Sequence, residues 1–542
     1  MATIMHSIGN VYPQEVDIPE RFRFEAPQLQ TEYLVNGEIR QWQGPFKDIE
    51  SPIRIQTPNG CVRKLLGQVP QMTEIEALEA LDAAVAAYDH GRGLWPTLPV
   101  SERVRHVEQF ALRMKEKRED VVRLLVWEIC KTVADAEKEF DRTVQYILDT
   151  IEALKDLDRI GSRFTINEGI IAQIRRAPLG VVLCMGPYNY PLNETYTILI
   201  PALIMGNTVV FKPPKLGVLL HRPLIAALRD SFPPGVVNTI YGRGSEVAAA
   251  LVKTGKVDVL GFIGSSEVAD TLKAHHPKPH RLRCVLGLGA KNPAIVLPDA
   301  DLDLAVKECV LGSLSYNGQR CTALKILFVH TKVADEFLSR FSRAVDQLVC
   351  GMPWQDKAQI TPLPVPGKPE YLNGLVQEAI AHGARIVNPG GGQVRETFFT
   401  PAVVYPANRD MQIYHIEQFG PVIPVVPFED VRTPIAWVEE SCYGQQVSLF
   451  GTDPEGLAQL IDPLVNQVCR VNLNSQCQRG PDAFPFTGRK DSAEGTQSVS
   501  DALRIFSIRT LVAAKSSDPN KAILTAITRD RKSNFLSTDF IF

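Results

Sequence analysis

Short runs of apolar residues that end in Gly, Pro or Ser recur through the middle of the chain, with helical periodicity between them. A parallel strand has this continuous apolar character because both faces of its sheet are covered. Alternation of such runs with helices predicts an α/β fold with a doubly wound sheet. The predicted strands are 180–187, 208–214, 236–242, 259–265 and 292–300, with helices in 195–205, 219–232 and 246–255.

The second half of the chain repeats this alternation and predicts a second doubly wound α/β domain. Its predicted strands are 325–330, 397–405, 422–428, 447–451 and 469–474, with a helix in 334–348 and a last strand in 502–514.

The first third of the chain has a different pattern. Residues 1–70 are rich in proline and weakly periodic, which indicates strands and an arm. Residues 73–158 have helical spacing and begin with Thr73 and Glu76, the pair that forms a capping box. Residues 163–177 alternate around a central Glu-Gly, which predicts a β-hairpin.

Composition narrows the function classes. The chain has 542 residues, of which 45% are hydrophobic and 22% charged, so it is not a disordered or fibrous protein. With 58 basic and 61 acidic residues the net charge is −3, which argues against a nucleic-acid partner. We expect no membrane span and no cleaved leader.

The ten cysteines are scattered and form no Cys-x-x-Cys pair, so we expect no metal site. Scattered cysteines in a chain of this length are typical of free thiols in a reducing compartment, which predicts a cytoplasmic protein.

The loops that follow the predicted strands carry the candidate chemistry, because ligands of open α/β sheets bind beyond the carboxyl ends of the strands. These loops are 186–191, 212–215, 242–244 and 262–266. Gly and Ser at strand ends can offer backbone N–H groups to phosphate, and the second loop adds two lysines. Taken as an isolated motif, such a loop is more often an ordinary turn, because Gly and Pro occur at most strand ends.

Cys321 is the best candidate nucleophile among the cysteines. It follows an apolar helical run and a glycine, and Arg320 precedes it directly. A loop position beside a cation favours the reactive thiolate. The alternative is a buried structural thiol.

Together these motifs resemble the aldehyde dehydrogenase superfamily, in the family's order, over residues 75–512. The resemblance implies that Cys321 is the nucleophile and that Asn189 stabilises the oxyanion. It also implies a set of cofactor-binding residues: Lys212 at the adenosine ribose, Gly264 and Ser265 near the pyrophosphate, and Glu417 and Phe419 at the nicotinamide ribose and ring.

Within that superfamily the chain resembles most the non-phosphorylating, NADP-dependent glyceraldehyde-3-phosphate dehydrogenases, through segments 189–193, 318–323 and 478–486. This resemblance implies oxidation of glyceraldehyde 3-phosphate to 3-phosphoglycerate through a cysteine thioester. Lys215 favours NADP, although NAD stays possible, because it attracts a 2′-phosphate. The residues implied to bind the substrate phosphate are Tyr190, Arg320, Arg479 and, on a less secure alignment, Arg142.

One position departs from the family pattern. The family's general base is the Glu of a Glu-Leu-Gly-Gly-Lys segment, and Gly287 stands in its place. Another carboxylate, such as Glu267 or Glu417, could replace it. Alternatively, the acyl group leaves to a thiol or phosphate acceptor, or the protein is a weakly active or non-catalytic nucleotide-binding homologue.

The resemblance also implies a domain organisation: a cofactor-binding domain (1–159 and 181–290), a catalytic domain (291–498), and a small β bridging and oligomerisation element with the C-terminal tail (160–180 and 499–542). We expect the hairpin to pair with the strand near 503–514 of a neighbouring copy, giving a homodimer or homotetramer. The expected partner is a small anionic aldehyde.

Overall fold

The structure is a computed structural model that describes residues 11–24 and 27–540; part of the predicted N-terminal arm lies outside these residues. Two short 3₁₀ helices, Glu15–Asp17 and Glu20–Phe22, come first. Five strands follow them, and then the predicted helices, which begin at the capping box of Thr73 and Glu76. The strands are β1 (Gln28–Leu29), β2 (Glu32–Val35), β3 (Glu38–Gln41), β4 (Phe46–Thr57) and β5 (Gly60–Pro70). The helices are α1 (Glu74–Tyr88), α2 (Leu94–Thr97), α3 (Val100–Lys115), α4 (Arg118–Ile129) and α5 (Val133–Gly161).

The predicted hairpin is confirmed as β6 (Phe164–Asn167) and β7 (Ile170–Pro178). The expectation that a neighbouring copy supplies its partner strand is wrong, because both edges of β7 are occupied by strands of the same chain. Its partner is the C-terminal strand β27 of the same chain (Ser507–Lys515), which runs antiparallel to β7 from Ser507 opposite Pro178 to Lys515 opposite Ile170. The connection through α16 (Val499–Ile505) delivers the strand to its own hairpin.

The first parallel sheet has its topological switch point beside its first strand. The order is β10-β9-β8-β11-β12-β26, so the chain leaves β8 in one direction and returns to its other side at β11. The strands are β8 (Val181–Met185), β9 (Thr208–Lys212), β10 (Val237–Thr239), β11 (Val259–Ile263), β12 (Arg283–Gly287) and the antiparallel β26 (Ala493–Glu494). The helices are α6 (Asn193–Ile204), α7 (Ile225–Ser231), α8 (Gly244–Lys253) and α9 (Ser266–His275).

The second parallel sheet has the order β17-β20-β21-β14-β13-β23-β24. Its strands are β13 (Asn292–Val296), β14 (Leu324–His330), β17 (Arg385–Ile386), β20 (Ala402–Tyr405), β21 (Val422–Phe428), β23 (Gln446–Phe450) and β24 (Arg470–Leu473). Its helices are α10 (Leu302–Leu314), α11 (Thr331–Asp346), α12 (Lys368–Ala381), α13 (Gln412–His415), α14 (Arg432–Glu440) and α15 (Pro454–Leu464).

Short pairs of strands complete the described chain, and a helix follows the last strand. The pairs are β15 (Val349–Cys350) with β16 (Ala358–Ile360), β18 (Val394–Arg395) with β19 (Phe398–Phe399), and β22 (Tyr443–Gly444) with β25 (Arg489–Lys490); the helix is α17 (Asp518–Arg529).

Two parallel sheets, each with its helices, confirm the predicted α/β class. Apolar residues of both sheets and their helices are almost fully buried, as their continuous apolar runs require. Among the described residues, no helix is both long and apolar enough to cross a membrane. The domain boundaries given above remain predictions.

Candidate active site

A cavity of about 1080 Å³ brings the loops of the two parallel sheets together. The first sheet contributes the loops after β8, β9 and β11, which flank its switch point, where ligands of such sheets bind. The second sheet contributes the turn before β14 and the segment before β21. All the site residues predicted from the sequence line this one cavity: Cys321, Asn189, Lys212, Lys215, Gly264, Ser265, Glu417, Phe419, Tyr190, Arg320, Arg479 and Arg142.

Cys321 lies between the end of α10 and the start of β14, after a tight turn at residues 315–318. The turn requires Gly318, which has a φ of +69° and whose added Cβ would lie 2.7 Å from the carbonyl oxygen of Ser313. Beyond the turn, the carbonyl oxygen of Cys321 accepts hydrogen bonds from Nδ2 of Asn292 at 2.8 Å and Nζ of Lys325 at 2.9 Å. The backbone that carries the thiol is therefore held firmly.

The charge around the Cys321 thiol is balanced between neighbours of opposite sign. Burial raises the pKa of the thiol, and the nearby Glu417 carboxylate raises it too, whereas the Lys325 ammonium and the Arg320 guanidinium lower it. Lys325 and Glu417 also form an ion pair with 2.9 Å between Nζ and Oε1. The thiolate, which is the nucleophilic form, therefore depends on Lys325.

Asn189 lies in the loop after β8 and is buried. Its Nδ2 donates a hydrogen bond to the carbonyl oxygen of Gln319 at 2.8 Å, which aims the amide at the turn that precedes Cys321. A side-chain N–H at this place is suited to a negative oxygen that develops on an aldehyde bound at the thiol.

One end of the cavity is basic and contains the predicted cofactor residues. Lys212 is buried at the end of β9, and burial, followed by the charge of Lys47, lowers the pKa of its ammonium to about 8. Lys215 is exposed on the following loop. Burial is the main cause that lowers the pKa of the Lys47 ammonium, and the charges of Lys215 and Arg243 lower it further. Four cations therefore lie close together here, a cluster suited to a phosphate dianion.

The backbone at this end also fits a dinucleotide. Gly264 follows β11, and Ser265 caps α9 by accepting a hydrogen bond from the backbone N–H of Val268. Gly264, Ser265 and Ser266 line the cavity at the start of α9, and the backbone N–H groups at the start of a helix suit a pyrophosphate. Phe419 has a φ of +45° and lies edge-on to Tyr188, with 5.9 Å between ring centroids.

The predicted arginines form a separate group in the cavity wall, called here the arginine-rich end, and two of them already have acidic partners. Arg142 is bidentate to Asp482, with nitrogen to oxygen distances of 2.7 and 2.9 Å. Arg479 is buried and ion-paired with Glu194. Only Arg320 has no carboxylate partner in this group: its Nη2 donates to the carbonyl oxygen of Gly312 at 2.9 Å, and its Nε is buried without a partner.

Tyr190 completes this end of the cavity. Its ring lies 3.3 Å from Nζ of Lys131, which forms a fully buried ion pair with Glu139. Oε1 of Glu139 also accepts hydrogen bonds from the backbone N–H groups of Leu192 and Asn193 at the start of α6. This network fixes the loop that carries both Asn189 and Tyr190.

Gly287 ends β12 and lines the cavity on the side of β11. A Cβ at this position would lie 3.2 Å from Cγ1 of Ile263 and 3.6 Å from Nε2 of Gln497. Of the two carboxylates considered as replacements for the missing glutamate, Glu417 lines the cavity, whereas Glu267 is exposed in the first turn of α9 and does not.

Several residues of the cavity region were not predicted from the sequence. Arg243 lies in the Gly-Arg-Gly loop that strand-end reasoning singled out, so its charge was available as a signal. Lys47, Glu194, Lys325 and Gln497 carry no such signal, because long-range pairing alone brings them to the cavity. Among the described residues, no group of three His, Cys, Asp or Glu side chains is placed to hold a metal ion.

Two curated relatives show how far the similarity extends. The NADP-dependent glyceraldehyde-3-phosphate dehydrogenase of Streptococcus equinus is 34% identical over 478 residues, which cover 87% of this chain and 96% of the relative. The enzyme of the same name from Arabidopsis thaliana is 30% identical over 486 residues, which cover 87% of this chain and 94% of the relative.

Solved structures agree with this similarity. The NADP-dependent glyceraldehyde-3-phosphate dehydrogenase of Bacillus halodurans, complexed with NADP, superposes with a TM-score of 0.82 at 31% identity and covers 90% of this chain and 100% of that one. The lactaldehyde dehydrogenase of Escherichia coli superposes with a TM-score of 0.82 at 25% identity, over 91% of this chain and 100% of that one. The model of the aldehyde dehydrogenase family matches residues 48–511. The chain therefore belongs to the aldehyde dehydrogenase family.

Proposed function

We propose that this protein oxidises a small phosphorylated aldehyde with NADP, and that the reaction converts glyceraldehyde 3-phosphate to 3-phosphoglycerate through a thioester on Cys321. The observation that carries the proposal is a single cavity lined by the thiol, by lysines suited to a phosphorylated nucleotide and by arginines suited to a substrate phosphate. The names of the relatives from Streptococcus equinus and Bacillus halodurans support the same substrate and cofactor.

The acylation half of the reaction follows from the groups around the thiol. The Cys321 thiolate attacks the aldehyde carbon, and the oxygen becomes an alkoxide that accepts hydrogen bonds from Nδ2 of Asn189 and the backbone N–H of Cys321. Lys325 favours the thiolate that starts the reaction, because its charge lowers the pKa of the thiol. NADP, when bound, supplies the oxidant that turns the resulting hemithioacetal into a thioester.

Residues at the basic end would hold NADP. The ammonium groups of Lys212, Lys215 and Lys47, with the guanidinium of Arg243, supply positive charge for the 2′-phosphate, which NAD lacks. Gly264 and Ser265 lie at the start of α9, where N–H groups suit the pyrophosphate. Glu417 and Phe419 are assigned to the nicotinamide ribose and ring. Because NAD has no 2′-phosphate to contact these cations, we expect it to be the weaker cofactor.

The substrate phosphate binds at the arginine-rich end. Arg320 has no acidic partner and lies beside the nucleophile, so it makes the primary contact, and Arg479, Arg142 and Tyr190 surround the anion. The pairing of Arg479 with Glu194 means that the phosphate shares this guanidinium with a carboxylate. Bidentate guanidinium groups anchor the far end of a three-carbon aldehyde while its carbonyl carbon reaches Cys321.

Gly287 supports a second candidate for the release step. Glycine cannot act as a base, and a positioned base is worth about 10²–10⁴-fold in rate. Transfer of the acyl group from Cys321 to a thiol or phosphate acceptor would need no base at this position. A weakly active or non-catalytic nucleotide-binding protein is the remaining alternative.

The proposal is tested by steady-state kinetics with a matrix of two aldehydes and two cofactors. We expect kcat/KM to be higher for glyceraldehyde 3-phosphate than for glyceraldehyde, and higher with NADP than with NAD. Arg320→Gln should remove most of the preference for the phosphorylated aldehyde and leave the cofactor preference intact. Product analysis with and without coenzyme A separates hydrolysis from acyl transfer. Equal kcat/KM values for the two aldehydes would contradict the assignment of the arginine-rich end.

We also propose that the protein is a cytoplasmic homodimer or homotetramer. All ten cysteines are free thiols, which suits a reducing compartment. The three-stranded sheet β27-β7-β6 presents exposed Ile166, Ile508 and Leu511, and its outer edges are unpaired among the described residues. Strand edges with apolar neighbours are suited to association with another copy. Size-exclusion chromatography with light scattering would give the number of subunits.

A further inference from the structure

Gln497 stands out among the residues of the cavity wall. Its side-chain Oε1 and Nε2 are both buried, and neither has a hydrogen-bond partner among the described residues. The residue is only 3% exposed, so bulk solvent does not satisfy the amide. A buried amide without partners is unfavourable, which indicates that a polar group occupies the cavity beside it during function.

The backbone of Gln497 fixes where that amide is. Its N–H donates to the carbonyl oxygen of Phe486 at 2.7 Å, and its own carbonyl oxygen accepts a hydrogen bond from Nη2 of Arg479 at 3.0 Å. The side chain extends toward Gly287, where Nε2 would lie 3.6 Å from an added Cβ. The unsatisfied amide therefore lies beside the position at which this chain has no side chain.

We propose that Gln497 positions the water that releases the acyl group from Cys321, in the space beside Gly287. Water fits the unsatisfied amide because it can donate a hydrogen bond to Oε1 and accept one from Nε2. The inference rests on the proposed thioester chemistry. An amide orients water but takes no proton, so Gln497 is a positioning residue and does not replace a glutamate base.

The step balances without any further reactant. The water oxygen bonds to the acyl carbon of the thioester, and the bond from that carbon to Sγ of Cys321 breaks. One proton of the water returns to the departing sulfur, and the other stays on the carboxyl group until the acid ionises into solvent. No electrons are transferred, so this step uses no cofactor.

The test measures deacylation separately from aldehyde oxidation. The full-length enzyme is acylated at Cys321 with p-nitrophenyl acetate, and loss of the acetyl group is followed by mass spectrometry for wild type, Gln497→Ala and Gln497→Glu. Gln145→Ala, on the exposed face of α5, is the matched control. We expect Gln497→Ala to keep the initial p-nitrophenol burst but to deacylate about tenfold more slowly, since hydrogen bonds that position a reactant are worth this order of effect.

The melting temperature of Gln497→Ala and the deacylation rate of Gln497→Glu distinguish the proposed role from a purely structural one. Alanine removes two unsatisfied buried groups, so we expect the melting temperature of Gln497→Ala to be equal to or above that of wild type. Gln497→Glu places a carboxylate beside the water, so deacylation should become faster and should rise with pH as that carboxyl group ionises. Deacylation of Gln497→Ala at the wild-type rate, or of Gln497→Glu no faster than wild type at any pH, would overturn the proposal.

The two proposals fail in different ways. Absence of NADPH formation with every aldehyde would overturn the proposed oxidation, while the ester assay would still decide the role of Gln497. Absence of acylation at Cys321 by both the ester and the aldehydes would overturn both.

Discussion

Replacing Gly287 with glutamate should restore a general base to the release step. The backbone at this position is not among those with positive φ, so a side chain introduces no backbone strain. Its Cβ would lie 3.2 Å from Cγ1 and 3.5 Å from Cγ2 of Ile263, contacts that a shift of a few tenths of an ångström relieves. Gly287→Glu should therefore fold with only a modest loss of stability.

The expected gain is large if deacylation limits turnover. A positioned general base contributes about 10²–10⁴-fold, which corresponds to a barrier lower by about 2.7–5.4 kcal/mol at 1.36 kcal/mol for each factor of ten. The amide of Gln497 lies 3.6 Å from the new Cβ and can donate to the carboxylate. Steady-state kcat should increase by at most this factor, because acylation or product release becomes the limiting step once deacylation is fast.

Rapid mixing with glyceraldehyde 3-phosphate and NADP measures both phases in one experiment. The burst of NADPH reports acylation and should keep its amplitude in Gly287→Glu, whereas the linear phase reports release and should become faster. Gly287→Ala is the matched control, because it adds the same Cβ contacts with Ile263 but no carboxylate. A linear phase in Gly287→Glu no faster than in Gly287→Ala would refute the reasoning and place the limiting step elsewhere.

Three other substitutions test the charges of the cavity. Lys325→Met removes a charge that lowers the pKa of the Cys321 thiol. The pH profile of alkylation by iodoacetamide should therefore shift to higher pH, and the rate of alkylation at pH 8 should fall. An unchanged pH profile would contradict this role of Lys325. Lys215→Glu should raise the KM for NADP about tenfold, because like charges in contact are unfavourable, and should change the KM for NAD much less; equal changes would contradict a 2′-phosphate contact. Glu194→Gln leaves Arg479 with Asp482 as its one acidic partner, at 3.4 Å between Nε and Oδ1. The KM for glyceraldehyde 3-phosphate should therefore fall while the free energy of unfolding drops by about 3 kcal/mol, the usual cost of breaking a buried ion pair; an unchanged KM would show that the phosphate does not reach Arg479.

The sequence predicted the elements of the parallel sheets well because their signal is local. Runs such as 208–214 and 259–265 have a continuous apolar centre and end in Gly, Pro or Ser, and each forms a buried strand. Strand β12 was missed because it begins with the exposed Arg283 and ends at Gly287, so it lacks a continuous apolar run. The helix α17 was also missed, since none of its residues is buried and the segment after Lys515 was interpreted as a polar tail.

The candidate site was predictable where single residues carry the chemistry and not where pairs do. Cys321 and Asn189 lie in local motifs, and the cavity brings both together. The pairing of Glu194 with Arg479 joins residues 285 positions apart, and only the tertiary fold places them in contact. The pairing of the hairpin with β27 shows the same limit: the strands were predicted, but which copy supplies the partner strand depends on the path of the chain through α16.

The most direct test of the thioester account is the stoichiometry of the first turnover. Enzyme with NADP is mixed rapidly with glyceraldehyde 3-phosphate, and the NADPH formed in the burst is compared with the acyl adduct on Cys321 found by mass spectrometry after quenching. The account predicts about one NADPH and one acyl group for each Cys321, and neither in Cys321→Ser. No burst and no adduct on Cys321 in the wild-type enzyme would contradict it.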